Sequence, residues 1–337
     1  MENPLLGYFG TKHQSAPFTK IMPKHFIPAI EKDIQESLEA IDKITNQTSQ
    51  PSFDNTIDAL QNIGEFLERN SALLFNLNSA ETSEEIQKIT QQASPILTKF
   101  QNDVRLNQAL FERIKTVYEN RENENLTTEQ LALLEKEFKG FTRNGALLSQ
   151  DKKDILREID TQKAQLSLRF GENVLADTNS FSLHVTEEKE LKGIPDQVRE
   201  MAADIAKSKN KTGWVFTLDY PSYVPFMTYL EDRSLRRKMS LAFGKRGFQE
   251  NDHNNSEIIL KLIGLRKKRA ELLGYESHAS FVLEERMAGS EENVNNFLED
   301  LYQKALPAAK KEWEELENFA KENLNLDKIE KWDTAYV

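Results

Sequence analysis

Five histidines, 55 acidic side chains and no cysteine limit the chemistry open to this 337-residue chain. Histidine and carboxylate can hold a metal. Two histidines four apart on a helix, the first followed by glutamate, would face one ion and place a base beside its bound water. The histidines here are His13, His25, His184, His253 and His278; no two lie three or four apart, and none precedes a glutamate. Glu284 and Glu285 fall six and seven residues after His278, on another part of a helical surface. No local ligand set can be built, so no metal ligand and no catalytic residue is assigned. The lack of cysteine removes disulfides, thiolate zinc sites and thiol nucleophiles. There is no G-x-S-x-G elbow, P-loop or G-x-G-x-x-G. The acidic pairs Glu187-Glu188, Glu284-Glu285 and Glu314-Glu315 are adjacent residues, which diverge on a helix. Singly, His184 reads as a partly buried strand residue with a hydrogen-bond partner. His13, His253 and His278 read as surface or cap residues, and His25 as positioning the first helix. The aromatics Trp214, Phe216, Tyr220, Tyr223, Phe226 and Tyr229 read as core packing rather than a peptide-contact wall. Substrate-binding residues stay unassigned.

The elements that must position these groups are mostly helices. Asn251 to Ser290 predicts a helical hairpin. Ile258, Ile259, Leu262, Ile263, Leu265, Leu272 and Leu273 give one apolar face, Gly274 suits a left-handed helix end, and Ser277 can cap a second helix. The run Arg266-Lys267-Lys268-Arg269 reads as a solvated face. Upstream, Ile27, Ile30, Ile34, Leu38 and Ile41 mark a first helix, and Ile57, Leu60, Ile63 and Leu67 a second after Pro51-Ser52. A third region spans about 83 to 118, where Pro95 is expected to kink or split it. Ile155, Ile159, Leu166 and Phe170 mark another helix, and a long charged one is expected from about 291 to 323. The period changes to two at about 181–185 and 214–218, which suits a small antiparallel ribbon. The fold class is therefore mainly α and multi-helical, in two lobes: 1–145, and 146–337 with the ribbon.

A net charge of −11 argues against nucleic acid as a partner. No apolar run is long enough to cross a bilayer, and the N-terminus lacks the pattern of a signal peptide, so a cytoplasmic location is expected.

Five motifs carry a resemblance. Leu265-Arg266, Ala270, Leu272-Leu273-Gly274-Tyr275 and Arg286 to Ser290 form an LR-x-x-x-A-x-LLGY…RMA-x-S pattern. Asn3–Leu6 and Pro17–Ile30 form an opening NPLL…PF-x-KI-x-P-x-HF-x-PAI. PSFDNTI stands at 51–57, GW-x-FTLDYPSY at 213–223, and WD-x-x-Y at Trp332, Asp333 and Tyr336. Each is weak alone; in this order they resemble the thimet oligopeptidase and peptidyl-dipeptidase family of zinc metallopeptidases, with wording nearest the bacterial dipeptidyl carboxypeptidases.

That resemblance implies a helical, two-lobed oligopeptidase with a deep channel for short peptides. It would use one zinc ion and a glutamate-activated water to remove dipeptides from peptide C-termini. The family's HExxH and third-ligand glutamate lie downstream of WD-x-x-Y, where this chain ends, with Val337 at a position usually held by tyrosine. The chain is then expected to be the non-catalytic N-terminal portion. It would form channel walls, be inactive alone, and pack residues 1–145 against a missing C-terminal catalytic half. Without that half, an exposed apolar face and self-association are expected. The alternative is a stand-alone helical scaffold that binds peptides or a partner without catalysis; an end inside a motif weighs against it. Exopeptidase against endopeptidase preference and endogenous substrates are not legible.

Overall fold

The computed structural model describes residues 3–337 and is mainly helical. It divides into two compact units, Met1–Leu168 with Leu262–His278, and Arg169–Lys261 with Ala279–Val337. The sequence-based lobe boundary at 145/146 falls in the turn between the sixth and seventh helices, inside the first unit.

In the first unit, α1 (Phe26–Thr45) begins where His25 closes a turn: the Met22 N–H donates to His25 Nδ1 at 3.0 Å. Ser52 and Asn55 cap each other's backbone and open a π-helical turn, Phe53–Asp58, which runs into α2 (Ala59–Gln61). The run expected to continue to Leu67 breaks at Gly64, and α3 (Glu65–Ala80) starts afresh. α4 (Glu84–Arg105) is capped by Ser83 and passes through Pro95 without splitting. The split comes instead before α5 (Gln108–Glu119), where the Asn107 side chain accepts the Leu110 N–H at 3.0 Å and so caps a new helix. α6 (Thr128–Arg143) opens with a Thr127–Gln130 capping box. One core cluster joins α1, α5 and α6 through Ile41, Phe53, Phe111, Ile114, Leu134 and Phe141. Another joins Leu5 and Phe26 to Leu67, Leu74, Ile86 and Ala93. The N-terminal tail is irregular, yet anchored. Arg69 donates to the carbonyls of Leu5 and Gly7, and Asn70 Nδ2 donates to the Leu5 carbonyl and to Asp33 Oδ2.

Two further helices, α7 (Gln150–Ser180) and α11 (Ser256–Leu272), contain the points at which the units divide. On α7 the buried apolar residues are Leu156 and Ile159, while Ile155 and Phe170, expected to face inward, are exposed. On α11, Ile258 and Leu262 are buried but Ile259 and Ile263 are not. The chain ends α11 as expected, with Gly274 at φ +85°, followed by α12 (His278–Leu283).

The second unit holds the ribbon. β1 (Leu183–Val185) pairs antiparallel with β2 (Trp214–Phe216) in the register Leu183–Phe216 and Val185–Trp214. Between them lies α8 (Asp196–Ser208); α9 (Tyr220–Tyr229) and α10 (Arg233–Gly244) follow. Leu183, Val185, Phe216, Leu218, Phe226, Met227 and Met239 form its core. The aromatic run splits its roles: Phe216 and Phe226 are buried with ring centroids 4.7 Å apart, whereas Tyr220 and Tyr229 are exposed. Gly193 stands at φ +92°, where an added Cβ would lie 2.0 Å from the Tyr229 carbonyl oxygen. Only glycine fits so close an approach. α13 (Glu291–Leu324) is capped by Ser290, and Ala320 is its buried residue. Phe297, Leu298, Leu301, Tyr302, Trp313 and Phe319 of α13 are exposed. The exposed apolar surface expected on 1–145 is thus more extensive on this helix.

Candidate functional site

The histidines occupy separate places. His25 is buried at the start of α1, and burial, aided by Lys24, holds its pKa below the ordinary imidazole value. His184 is exposed, not partly buried, because β1 turns Leu183 and Val185 inward; its Nε2–H donates to the Thr212 carbonyl at 2.6 Å. His13 is exposed, while His253 and His278 are half-buried. Among the described residues, no three or more histidine, aspartate or glutamate side chains are grouped so as to hold a metal ion.

What the first unit does build is a groove along α4. Ser94, Leu97, Thr98, Gln101 and Asn102 recur at three- and four-residue spacing and so share a helix face. Against it stand a stripe of α3 (Leu67, Ser71, Phe75) and a stripe of α7 (Asp160, Lys163, Ala164, Ser167). Two cavities result, and both are lined by Thr98, Gln101 and Ala164. The larger, about 630 Å³, is walled by Ile63, Leu67, Phe75, Leu97 and Phe100. The smaller, about 320 Å³, is lined by Asn102, Asp160, Lys163, Ser167 and Arg269.

The polar end carries more positive than negative charge. Arg269 Nε donates to Asp160 Oδ1 at 2.7 Å and Lys163 Nζ lies 3.4 Å from the same oxygen. Arg269 Nη2 also reaches Asn144 Oδ1 at 3.0 Å. Burial, then the Arg269 charge, holds the Lys163 pKa below its ordinary value, with Asp160 opposing. Burial and the charges of Arg266, Lys163 and Arg269 do the same to His278. Two polar atoms in this region are buried without a partner, Ser71 Oγ and Asn102 Nδ2. The arrangement offers an apolar chamber beside cationic donors.

The basic run at 266–269 is therefore not one solvated face. Arg266, Lys267 and Lys268 are exposed as expected, but Arg269 is 9% exposed, because Asp160 and Asn144 supply the partners that a buried guanidinium needs. Asn102 and Lys163 carried no sequence signal beyond lying at helical spacing from apolar neighbours.

In the second unit the WD-x-x-Y motif is a structural anchor. Asp333 is fully buried and accepts from Arg236 Nη2 at 2.9 Å, Arg233 Nη2 at 2.8 Å and the Glu330 N–H at 3.0 Å. Arg236, 1% exposed, also donates to the carbonyls of Leu230, Glu231 and Trp332, and its guanidinium lies 3.9 Å from the Tyr336 ring centroid. Burial alone would raise the Asp333 pKa; the donors Arg233, Glu330 N–H and Arg236 outweigh it and hold the group below the ordinary carboxylate value. Arg233 and Arg236 lie outside the motifs, about a hundred residues before Asp333, and carry no signal of their own in the sequence.

Comparison with known proteins gives a consistent result. Residues 226–337 match Peptidase family M3, and residues 27–153 match the Neurolysin/Thimet oligopeptidase N-terminal domain. Oligopeptidase A of Escherichia coli (strain K12) is 30% identical over 340 residues, 100% of this chain and 49% of the relative. Dipeptidyl carboxypeptidase of the same organism is 30% identical over 336 residues, 99% of this chain and 49% of the relative. A probable cytosolic oligopeptidase A of Arabidopsis thaliana is 28% identical over 343 residues, 99% and 48% respectively. The chain spans about half the length of the curated relatives it matches.

Proposed function

Because the chain belongs to the M3 peptidase family, we propose that it is the N-terminal, non-catalytic portion of a zinc-dependent peptidyl-dipeptidase acting on short peptides. On this reading the chain forms walls of the substrate channel, with 1–145 and 146–337 serving as two lobes. The observation that carries it is one continuous match, over the whole chain, to half of each of two bacterial peptidases. The groove along α4, apolar at one end and cationic at the other, is a surface that a short peptide could use. The exposed apolar residues of α13 suit burial against a further half of the enzyme.

Among the described residues the donor sets do not fit a zinc ion, since the histidines are scattered and no acidic cluster meets them. No reaction step is assigned to its residues. The metal and its base belong, on this reading, to the part of the relatives outside the match. The cytoplasm is the natural compartment, in keeping with the name of the Arabidopsis relative.

The test is zinc content together with hydrolysis of a blocked tripeptide, measured on this chain and on the longer protein of the same reading frame. Stoichiometric zinc and release of a C-terminal dipeptide only in the longer protein are expected. Zinc and cleavage in this chain alone would overturn the non-catalytic assignment, and neither activity in a folded longer protein would favour a non-catalytic scaffold.

A further inference from the structure

We propose that Asn144 is a self-modification site: when the turn after α6 opens, the Gly145 nitrogen closes on the Asn144 side chain, and the isoaspartate that results prevents the turn from re-forming. The inference is independent of the peptidase reading.

Among the 13 glycines of the chain, Gly145 alone follows an asparagine. Asparagine before glycine is the pair most prone to cyclise, because a residue without Cβ leaves its own nitrogen least hindered. Both members are fixed here by the fold. Gly145 stands at φ +99°, a left-handed conformation that ends α6, and the Ala146 N–H reaches back to the Phe141 carbonyl at 3.1 Å. A Cβ at 145 would also lie 2.7 Å from Leu156 and 3.2 Å from Leu106. Asn144 is held at both ends of its amide. Its Nδ2 donates to the Gly140 carbonyl at 2.8 Å, and its Oδ1 accepts from Arg269 Nη2 at 3.0 Å. The turn requires glycine at 145 and uses the amide at 144, so the labile pair is a product of the packing.

The folded turn keeps the pair from reacting. A five-membered ring needs the Gly145 nitrogen to eclipse Cβ about the Cα–C bond of Asn144. Tetrahedral geometry sets Cβ a third of a turn from the backbone nitrogen about that bond, whereas ψ is 21°, which holds the Gly145 nitrogen near the backbone nitrogen instead. The bond to Gly140 also draws the amide back along the helix, away from Gly145. Opening the turn frees both torsions. The Gly145 nitrogen then loses its proton and bonds to Cγ, the Cγ–Nδ2 bond breaks, and Nδ2 leaves as ammonia. One water opens the ring, at Cγ to give aspartate or at the backbone carbonyl to give isoaspartate. The net change is amide plus water to acid plus ammonia, with no other reactant. Aspartate keeps the main chain as it was. Isoaspartate adds one carbon to the main chain between 144 and 145. That breaks the spacing on which the Ala146–Phe141 bond and the seat of Gly145 among Leu106, Leu148 and Leu156 depend.

The experiment incubates the 337-residue chain in mildly alkaline buffer with and without guanidinium chloride. Peptide mapping by mass spectrometry reports conversion at 144, and isoaspartate-specific enzymatic methylation reports the isomer. In denaturant Asn144 should convert before Asn78 or Asn179, each of which precedes serine. In the folded chain its conversion should be at least about tenfold slower, since only the opened fraction reacts. Gly145→Ala should slow conversion in denaturant, where folding plays no part. After the denaturant is removed, isoaspartate should be concentrated in chains that a protease cuts between α6 and α7, and depleted from resistant ones. Equal rates with and without denaturant overturn the proposal, as does conversion at Asn144 no faster than at Asn78 and Asn179. Isoaspartate spread evenly between cut and resistant chains also overturns it.

Discussion

The buried pair Arg236–Asp333 gives the sharpest test of how the second unit is held together. Removing one member of a buried, hydrogen-bonded ion pair leaves the other charged and unpaired, which costs about 3–5 kcal/mol. Arg236→Met also orphans the carbonyls of Leu230, Glu231 and Trp332. Arg233 binds the same carboxylate but is 43% exposed, so solvent screens it and its loss should cost only about 0.2–1 kcal/mol. The expected order is therefore Arg236→Met and Asp333→Ala large, Arg233→Met small. The double variant Arg236→Met/Asp333→Leu should cost clearly less than the sum of its parts, because no buried charge is left unpaired and Arg233, 43% exposed, stays solvated.

The protein supplies its own probe. Its three tryptophans, Trp214, Trp313 and Trp332, all lie in the second unit, so urea unfolding followed by tryptophan fluorescence reports that unit alone. With a urea slope of about 2 kcal/mol per molar, a loss of about 4 kcal/mol moves the midpoint down by about 2 M. Acid adds a second check. The Asp333 pKa is lowered on folding. Its stabilisation is therefore complete above the unfolded value near 3.9 and is lost as pH falls through the still lower folded value. Unmodified protein should lose second-unit stability below about pH 4, and Asp333→Ala should flatten that loss. Equal costs for Arg233→Met and Arg236→Met, or a cost below about 1 kcal/mol for Asp333→Ala, would refute the argument that burial makes this pair matter.

Asp33 behaves in the opposite sense. Its carboxylate is buried, and burial raises its pKa although Asn70 donates to it. A raised carboxyl pKa means that the first unit loses stability as pH rises from the unfolded value near 3.9 through the folded one. Asp33→Asn should remove that part of the pH dependence, as followed by circular dichroism melts between pH 4 and 7; an unchanged pH profile would contradict it. Gly193→Ala forces a side chain into φ +92° and against the Tyr229 carbonyl. A cost of about 1–3 kcal/mol from backbone strain alone should lower the melting temperature by at least about 3 °C, read by tryptophan fluorescence. Phe297 and Leu301 of α13 are exposed; Phe297→Glu/Leu301→Glu should reduce binding of an apolar-surface dye and self-association in sedimentation, and no change in either would show that the helix is not the adhesive face.

How much of this was legible follows from what a helical period encodes. Periodicity reports which face is apolar, and it located α1, the helix end at Gly274, the ribbon and the full extent of α13. It does not report what the face meets. α13 illustrates the gap: its pattern is amphipathic, yet within this chain Ala320 is its buried residue. Ile155 and Ile259 read as inward because they keep the period, and lie outward because Leu156 and Ile258 next to them take the buried positions. Pro95 read as a kink or a split; α4 runs through it unsplit, and the new helix begins where the Asn107 side chain caps it. The same limit hid the groove. Asn102, Lys163 and Arg269 come from α4, α7 and α11, and each alone is an ordinary polar residue at the margin of an apolar stripe. Arg266 and Arg269 stand in one basic run, and what separates them is Asp160, more than a hundred residues away. A charge can be buried only where the fold brings its partner. Its burial is a property of the contact, which no local reading of four residues contains.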